Sequence, residues 1–94
     1  MRAEYDSAAD TLSIDLIEGE RWEGADPIDD DYCTVALAAG RPANVELLSP
    51  REHRGLLRVA AERHKLDPEA LEAAASSALA APDRTVVLDV PASA

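Results

Sequence analysis

A chain of 94 residues and 10.0 kDa has material for one domain built on one hydrophobic core. Nineteen of its residues are alanine and phenylalanine is absent, so the core is short of bulk, and pairing of two copies is one way for so small a unit to gain stability. The formal charge of −10, from 19 acids against 9 bases, argues against nucleic acid, whose affinity comes from Lys and Arg displacing counterions; it also disfavours anionic lipid surfaces, and no apolar run approaches the ~20 residues that span a bilayer.

The first half reads as β. Arg2 to Tyr5 is a short strand, and Asp6-Ser7-Ala8-Ala9-Asp10 supplies the Asp and Ser chemistry of a tight turn. Thr11 to Ile17 alternates, with Leu12, Ile14 and Leu16 on one face and Thr11, Ser13 and Asp15 on the other. Glu18 to Asp31 carries Gly19, Gly24, Pro27 and a dense run of acids, and reads as a loop with room for a short edge strand around Trp22 or Ile28. Tyr32 to Ala38 alternates again, grouping Cys33, Val35 and Leu37. After the turn at Ala39-Gly40-Arg41-Pro42, Ala43 to Leu48 sets Val45 and Leu47 opposite Asn44, Glu46 and Leu48.

The second half turns helical. Ser49-Pro50-Arg51-Glu52 has the capping-box spacing, which predicts a helix from Pro50 to about Lys65 with Leu56, Leu57, Val59, Ala60 and His64 inward. Asp67-Pro68-Glu69 opens a second helix from Pro68 to about Ala80, packed through Leu71, Ala74, Ala75, Ala78 and Leu79. Thr85 to Val90 closes the chain as a strand, and Ala92 to Ala94 is expected to fray. The expected fold class is therefore α+β: a small antiparallel sheet of four to five strands with a two-helix hairpin on one face. Within a single domain, 1–94, residues 1–48 form β-hairpins, 49–81 the helical hairpin and 84–90 the final strand.

Glu4-Tyr5-Asp6-Ser7-Ala8-Ala9-Asp10-Thr11-Leu12-Ser13-Ile14-Asp15-Leu16 resembles the opening of a small bacterial family catalogued as domain of unknown function 2283. The stretch from Asp29-Asp30-Asp31 through Gly40 to Val45-Glu46-Leu47-Leu48 is similar to that family's second half, so the likeness covers residues 1–50. It departs at Ala43 and in the C-terminal helices and strand. The resemblance carries no activity; it implies a small β-rich cytoplasmic protein and an antitoxin-like role beside a small basic toxin-like protein. A lone Cys33, unable to form an internal disulfide, and the lack of a charged-then-apolar opening segment point to the cytoplasm as well.

Candidate chemistry is sparse. Asp6 and Asp10 flank a tight turn and read as backbone-capping carboxylates before they read as a cation pair. Asp26, Asp29, Asp30 and Asp31 lack the alternate spacing, central Gly and distal Glu of a calcium loop. His53 and His64 share a face of the expected helix but lie about 16 Å apart along its axis, too far for one metal. Cys33, flanked by apolar residues of its own parity, reads as a small buried hydrophobe. There is no Gly-x-Ser-x-Gly, Gly-rich phosphate loop or CxxC, and no cofactor is expected. The helix-turn-helix look of residues 50–81 fails on charge, because the second helix carries Glu69 and Glu72 and no base before Arg84.

Charge is uneven. Residues 1–31 hold eleven acids and two bases, a balance of −9. Glu46 falls on the strand face opposite the expected core, grouped with Leu48, Ile17 and Val87, which makes that face a candidate interface. The leading expectation is a non-enzymatic module that pairs with itself, as a homodimer, or with a protein partner. Its interaction candidates are Ile17, Trp22, Asp29, Asp30, Asp31, Glu46, Leu48 and Val87, with the acidic 18–31 loop steering a basic partner. The alternative is a metal-dependent or Cys-based enzyme assembled from Asp6, Asp10, Asp29–Asp31 or Cys33.

Overall fold

The computed structural model describes residues 1–19 and 21–93. Its strands are β1 (Arg2–Asp6), β2 (Thr11–Asp15), β3 (Gly24–Asp29), β4 (Cys33–Ala38), β5 (Arg41–Leu48) and β6 (Thr85–Val87); the helices α1 (Leu56–His64) and α2 (Pro68–Ala80) lie between β5 and β6. All strand pairs are antiparallel, in one sheet of order β3-β4-β5-β2-β1-β6. The fold is α+β as expected, with six strands in place of four to five. The acidic segment supplies the additional strand: much of the expected loop is β3, which pairs with β4 along most of its length.

The alternation read from sequence sets the two faces. Cross-strand rows Val35–Val45–Ile14–Ala3–Val86 and Cys33–Leu47–Leu12–Tyr5 point to the helices, and apart from Val86 at the edge every member is buried. They meet Leu57, Ala60, Ala61, Leu66, Leu71, Ala74, Ala75 and Ala78 in a single core. α2 covers β1, β2 and β6 while α1 covers β3, β4 and β5. Alanine at the contact positions of both helices lets their axes approach the sheet closely, so a chain without phenylalanine still closes its core. The accessible surface of 5275 Å² matches the ~5,200 Å² expected of a compact monomer of this mass.

Helix boundaries differ from expectation at one end only. α2 begins at Pro68 with Asp67 as N-cap, its Oδ1 accepting from the amides of Glu69 at 3.0 Å and Ala70 at 3.4 Å. α1, by contrast, starts at Leu56, because Ser49 has φ 47 and an N-cap needs extended backbone. Its carbonyl instead accepts from the amides of Glu52 and His53, and residues 50–55 form turns around the buried Pro50. On α1 Val59, expected inward, faces outward, and Ala61 takes an inward position. It also separates the two histidines, since His53 is no longer on the helix. At the C-terminus, β6 stops at Val87. Ala92 and Ser93 are tied down: the Asp67 amide donates to the Ala92 carbonyl at 2.9 Å, and Leu66 bridges to Ser93. Ala94 lies outside the described residues.

Polar clamps lock the layers. Asp26 projects to the helix side of β3, where His64 Nε2–H donates to it at 2.8 Å and Arg63 lies at 3.2 Å. Those bonds, that from His64 first, hold the Asp26 carboxyl below its ordinary value. Arg54 donates to the Glu72 carbonyl at 3.0 Å and to the Ser76 hydroxyl, tying the turns before α1 to α2. Asp83, with φ 63, accepts from the amide and hydroxyl of Ser7 at 2.9 and 2.6 Å and pins the β1–β2 turn to the end of α2.

Two outcomes test these supports. Asp67→Ala is expected to cost about 1 kcal/mol in urea unfolding through loss of the cap. Asp26 has a folded pKa below its unfolded value, so its contribution is present above that unfolded value and is lost as pH falls through the folded one. Asp26→Asn should therefore lower Tm at neutral pH, with the gap from the parent protein closing as the pH approaches 3.

Candidate functional site

Among the described residues no helix or further strand packs on the face of the sheet opposite the helices, although Ala36 and Asn44 are buried on it. Two cross-strand rows make up most of it: Pro27–Thr34–Glu46–Ser13–Glu4–Thr85 and Ala25–Ala36–Asn44–Asp15–Arg2–Val87. A third, Leu48–Thr11–Asp6, lies beside the β1–β2 turn. Glu46 stands at the centre on β5 and is exposed. The ion pairs among the described residues are Arg2–Glu18, Arg58–Glu72 and the pairs of Asp26 with Arg63 and His64, so none engages Glu46. Below it, Asn44 is only 1% exposed. Its amide donates both protons across the strand pair, to Ser13 Oγ at 2.8 Å and Asp15 Oδ1 at 2.7 Å, which fixes the polar centre of the face.

Beside Glu46 and Asn44 lies a depression of about 210 Å³, bounded also by Trp22, Gly24, Ala25, Thr34 and Ala36. Trp22 is 51% exposed. Sequence reasoning singled out Trp22 and Glu46 separately. Their meeting at one depression follows from the edge strand that this segment allowed around Ile28 being β3, paired to β4 from Gly24 onward.

The other sequence candidates separate. Leu48 and Val87 lie on the open face but three strands apart, with polar residues between them, so the expected apolar patch is not continuous. Ile17 leaves the face altogether. A bulge in which the Leu16 and Ile17 amides share the Ala43 carbonyl turns it toward a cavity of about 390 Å³ near the end of α1, shared with Arg41, His64 and Lys65. Asp29 Oδ1 accepts from the amides of Asp31 and Tyr32, each at 3.0 Å, so Asp29-Asp30-Asp31 is a capped turn at the sheet's end. Asp30 and Asp31 are exposed there. Of the acidic loop, Glu20 lies outside the described residues.

The Tyr-Asp…Ala-Asp motif has a structural explanation. Asp6 Oδ1 accepts from the amides of Ala8 and Ala9, capping the turn. Asp10 follows with φ 51, and its carboxylate accepts from the Tyr5 hydroxyl at 2.6 Å. That bond and burial raise the Tyr5 phenol above its ordinary value, and Arg51 lies 5.1 Å over the ring and donates to the hydroxyl at 3.2 Å. Asp6, Asp10 and the Tyr5 hydroxyl thus all contribute to holding the turn. Nearby, His53 stacks on Tyr32 with ring centroids 3.6 Å apart and donates from Nδ1 to the Ser49 carbonyl at 3.1 Å.

Cys33 is 2% exposed, and its thiol is pushed up to about 11, by burial first and by Asp29 second. Neither depression described above gathers Asp6, Asp10, Asp29–Asp31 or Cys33. Among the described residues no group of three or more His, Cys, Asp or Glu side chains converges as a metal would require, and no helix is long and apolar enough to cross a membrane.

The chain matches no protein-family model, no curated protein and no solved structure.

The burial and raised pKa of Cys33 predict slow chemistry. Under native conditions at pH 8, an aromatic disulfide reagent should release almost no thiolate, and the full single equivalent only in denaturant. Rapid labelling of the folded protein would contradict the placement of this side chain.

Proposed function

We propose that this protein is a non-enzymatic interaction module that binds a basic protein partner on the open face of its sheet. The supporting observation is the segregation of charge between its layers. The strands present Glu4, Asp6, Asp15 and Glu46 on that face against Arg2, which is paired with Glu18 at 3.4 Å. Arg51, Arg54, Arg58, Arg63 and Lys65 fall in α1 and its flanking turns, across the sheet, where Glu52, Glu62, Asp67, Glu69 and Glu72 balance them, so the helix layer is neutral while the open face is acidic. A field of one sign on one face orients and accelerates encounter with an oppositely charged surface.

The same arrangement ranks the occupants. Two copies meeting face to face about a two-fold axis would bring the acids Glu4, Asp15 and Glu46 of one against the same acidic field of the other, a like-charge contact. Edge-to-edge pairing is restricted too, because β3 carries Pro27 and a bulge, while β6 has three residues. A basic partner therefore fits better than a second copy. The small basic toxin-like protein suggested by the family resemblance has that chemistry.

Heteronuclear NMR titration with a short lysine-rich peptide tests the reading. Amide shifts should concentrate on Glu4, Ser13, Asp15, Thr34 and Glu46, and affinity should fall steeply as salt rises from about 0.05 to about 0.5 M, since screening shortens the range of surface charge. Light scattering should give the mass of one chain. Shifts confined to the helices, or a dimer that protects the open face, would overturn the proposal.

A further inference from the structure

We propose that the depression bounded by Trp22, Thr34, Ala36 and Glu46 is a binding site for a single arginine side chain, the anchor by which a basic partner is held. The inference rests on the proposed function for how the arginine arrives, but the site has its own chemistry. Four features meet in one concavity. Glu46 supplies a carboxylate with no cationic partner among the described residues. Trp22 supplies an indole that is half exposed and bounds the same space. Gly24, Ala25 and Ala36 present only small groups, leaving room for a methylene stem, and Thr34 adds a hydroxyl in the same cross-strand row as Glu46.

That set suits guanidinium better than ammonium. A planar guanidinium stacks on an indole face, forks to a carboxylate and has donors left for a hydroxyl, whereas an ammonium is a strongly hydrated point charge. The alkyl stem covers apolar surface while the charged head stays at the rim. A volume of about 210 Å³ suits one long side chain and is too small for a helix or a strand. The floor is pre-organised: Asn44 is held by Ser13 and Asp15 and need not rearrange to admit a ligand.

The chain's lone tryptophan makes the test direct, because Trp22 emission reports on this site alone. Two probes are used: Nα-acetyl-arginine amide, and a short lysine-rich peptide carrying one arginine, compared with its citrulline counterpart. Citrulline keeps the shape and removes the charge. Both arginine probes should change Trp22 emission, and citrulline should weaken peptide binding about tenfold, the sum of a cation–π contact and a charged hydrogen bond at a half-exposed site. Glu46 is exposed and has no ion pair among the described residues, so Glu46→Gln should fold as the parent protein does and lose the preference for arginine. Trp22→Leu should do the same, read by anisotropy of a labelled peptide.

The two proposals fail separately. Equal affinity for the arginine and citrulline peptides, with NMR shifts still on the open face, would overturn the arginine site and leave the face as an interface. An emission change with arginine amide that Glu46→Gln abolishes, without binding of any basic peptide, would support the site and overturn the interface. No response to either probe would remove both.

Discussion

The pairing of β2 with β5 is the constraint on which the rest of this molecule depends. It joins two hairpins that are otherwise separate, and its register places Leu12 against Leu47 and Ile14 against Val45 on one side, Ser13 against Glu46 and Asp15 against Asn44 on the other. A slip of one residue would exchange the faces, exposing the core row and burying the acids. Hydrophobic burial alone would resist that slip. The Asn44 side chain adds a directional lock, since its two N–H groups find Ser13 and Asp15 only in the observed register. A buried amide on the solvent face thus ties fold specificity and site geometry to the same three residues.

Much of the fold was legible because its dominant signals are local. Alternation marked β2, β4 and β5, and Asp67-Pro68 marked the start of α2 to the residue. Where the reading failed, a tertiary demand had overridden a local one. Ser49 carries a capping-box sequence, yet the chain leaving β5 must turn sharply onto the helix layer. It does so with Ser49 left-handed and Pro50 buried, which moves the helix start to Leu56. β3 was legible only as room for a short edge strand around Ile28, because Gly, Pro and Asp at its positions are poor strand formers. As an edge strand it needs only one ladder, and Pro27 can occupy a place that a central strand would refuse.

The candidate site was legible in its members and illegible in its assembly. Glu46 and Trp22 each stood out, but nothing in spacing reveals that residues 24 apart bound one depression; that follows from strand order. Ile17 illustrates the converse. By parity it belongs with Glu46, and a bulge at Ala43 sends it to the other side. The Tyr5–Asp10 motif, equally conspicuous, resolves into a turn in which Asp6 and Asp10 each hold the chain's own donors.

Charge completes the synthesis. A balance of −10 spread evenly would keep the molecule soluble and do little else. Here the acids divide by what their oxygens hold. Asp6, Asp10, Asp26, Asp29, Asp67 and Asp83 each lend at least one carboxylate oxygen to a turn, cap or clamp. Glu4 and Glu46 have no such internal role and stand on the open face. A carboxylate with one oxygen held in a turn, cap or clamp is restricted in how it can turn toward a ligand, whereas an uncommitted one can exchange water for a cation at little cost. The capacity to recognise a basic surface therefore resides in a few carboxylates rather than in the net charge, and Glu46, beside an exposed indole and above a fixed amide, is the one whose surroundings can tell one cation from another.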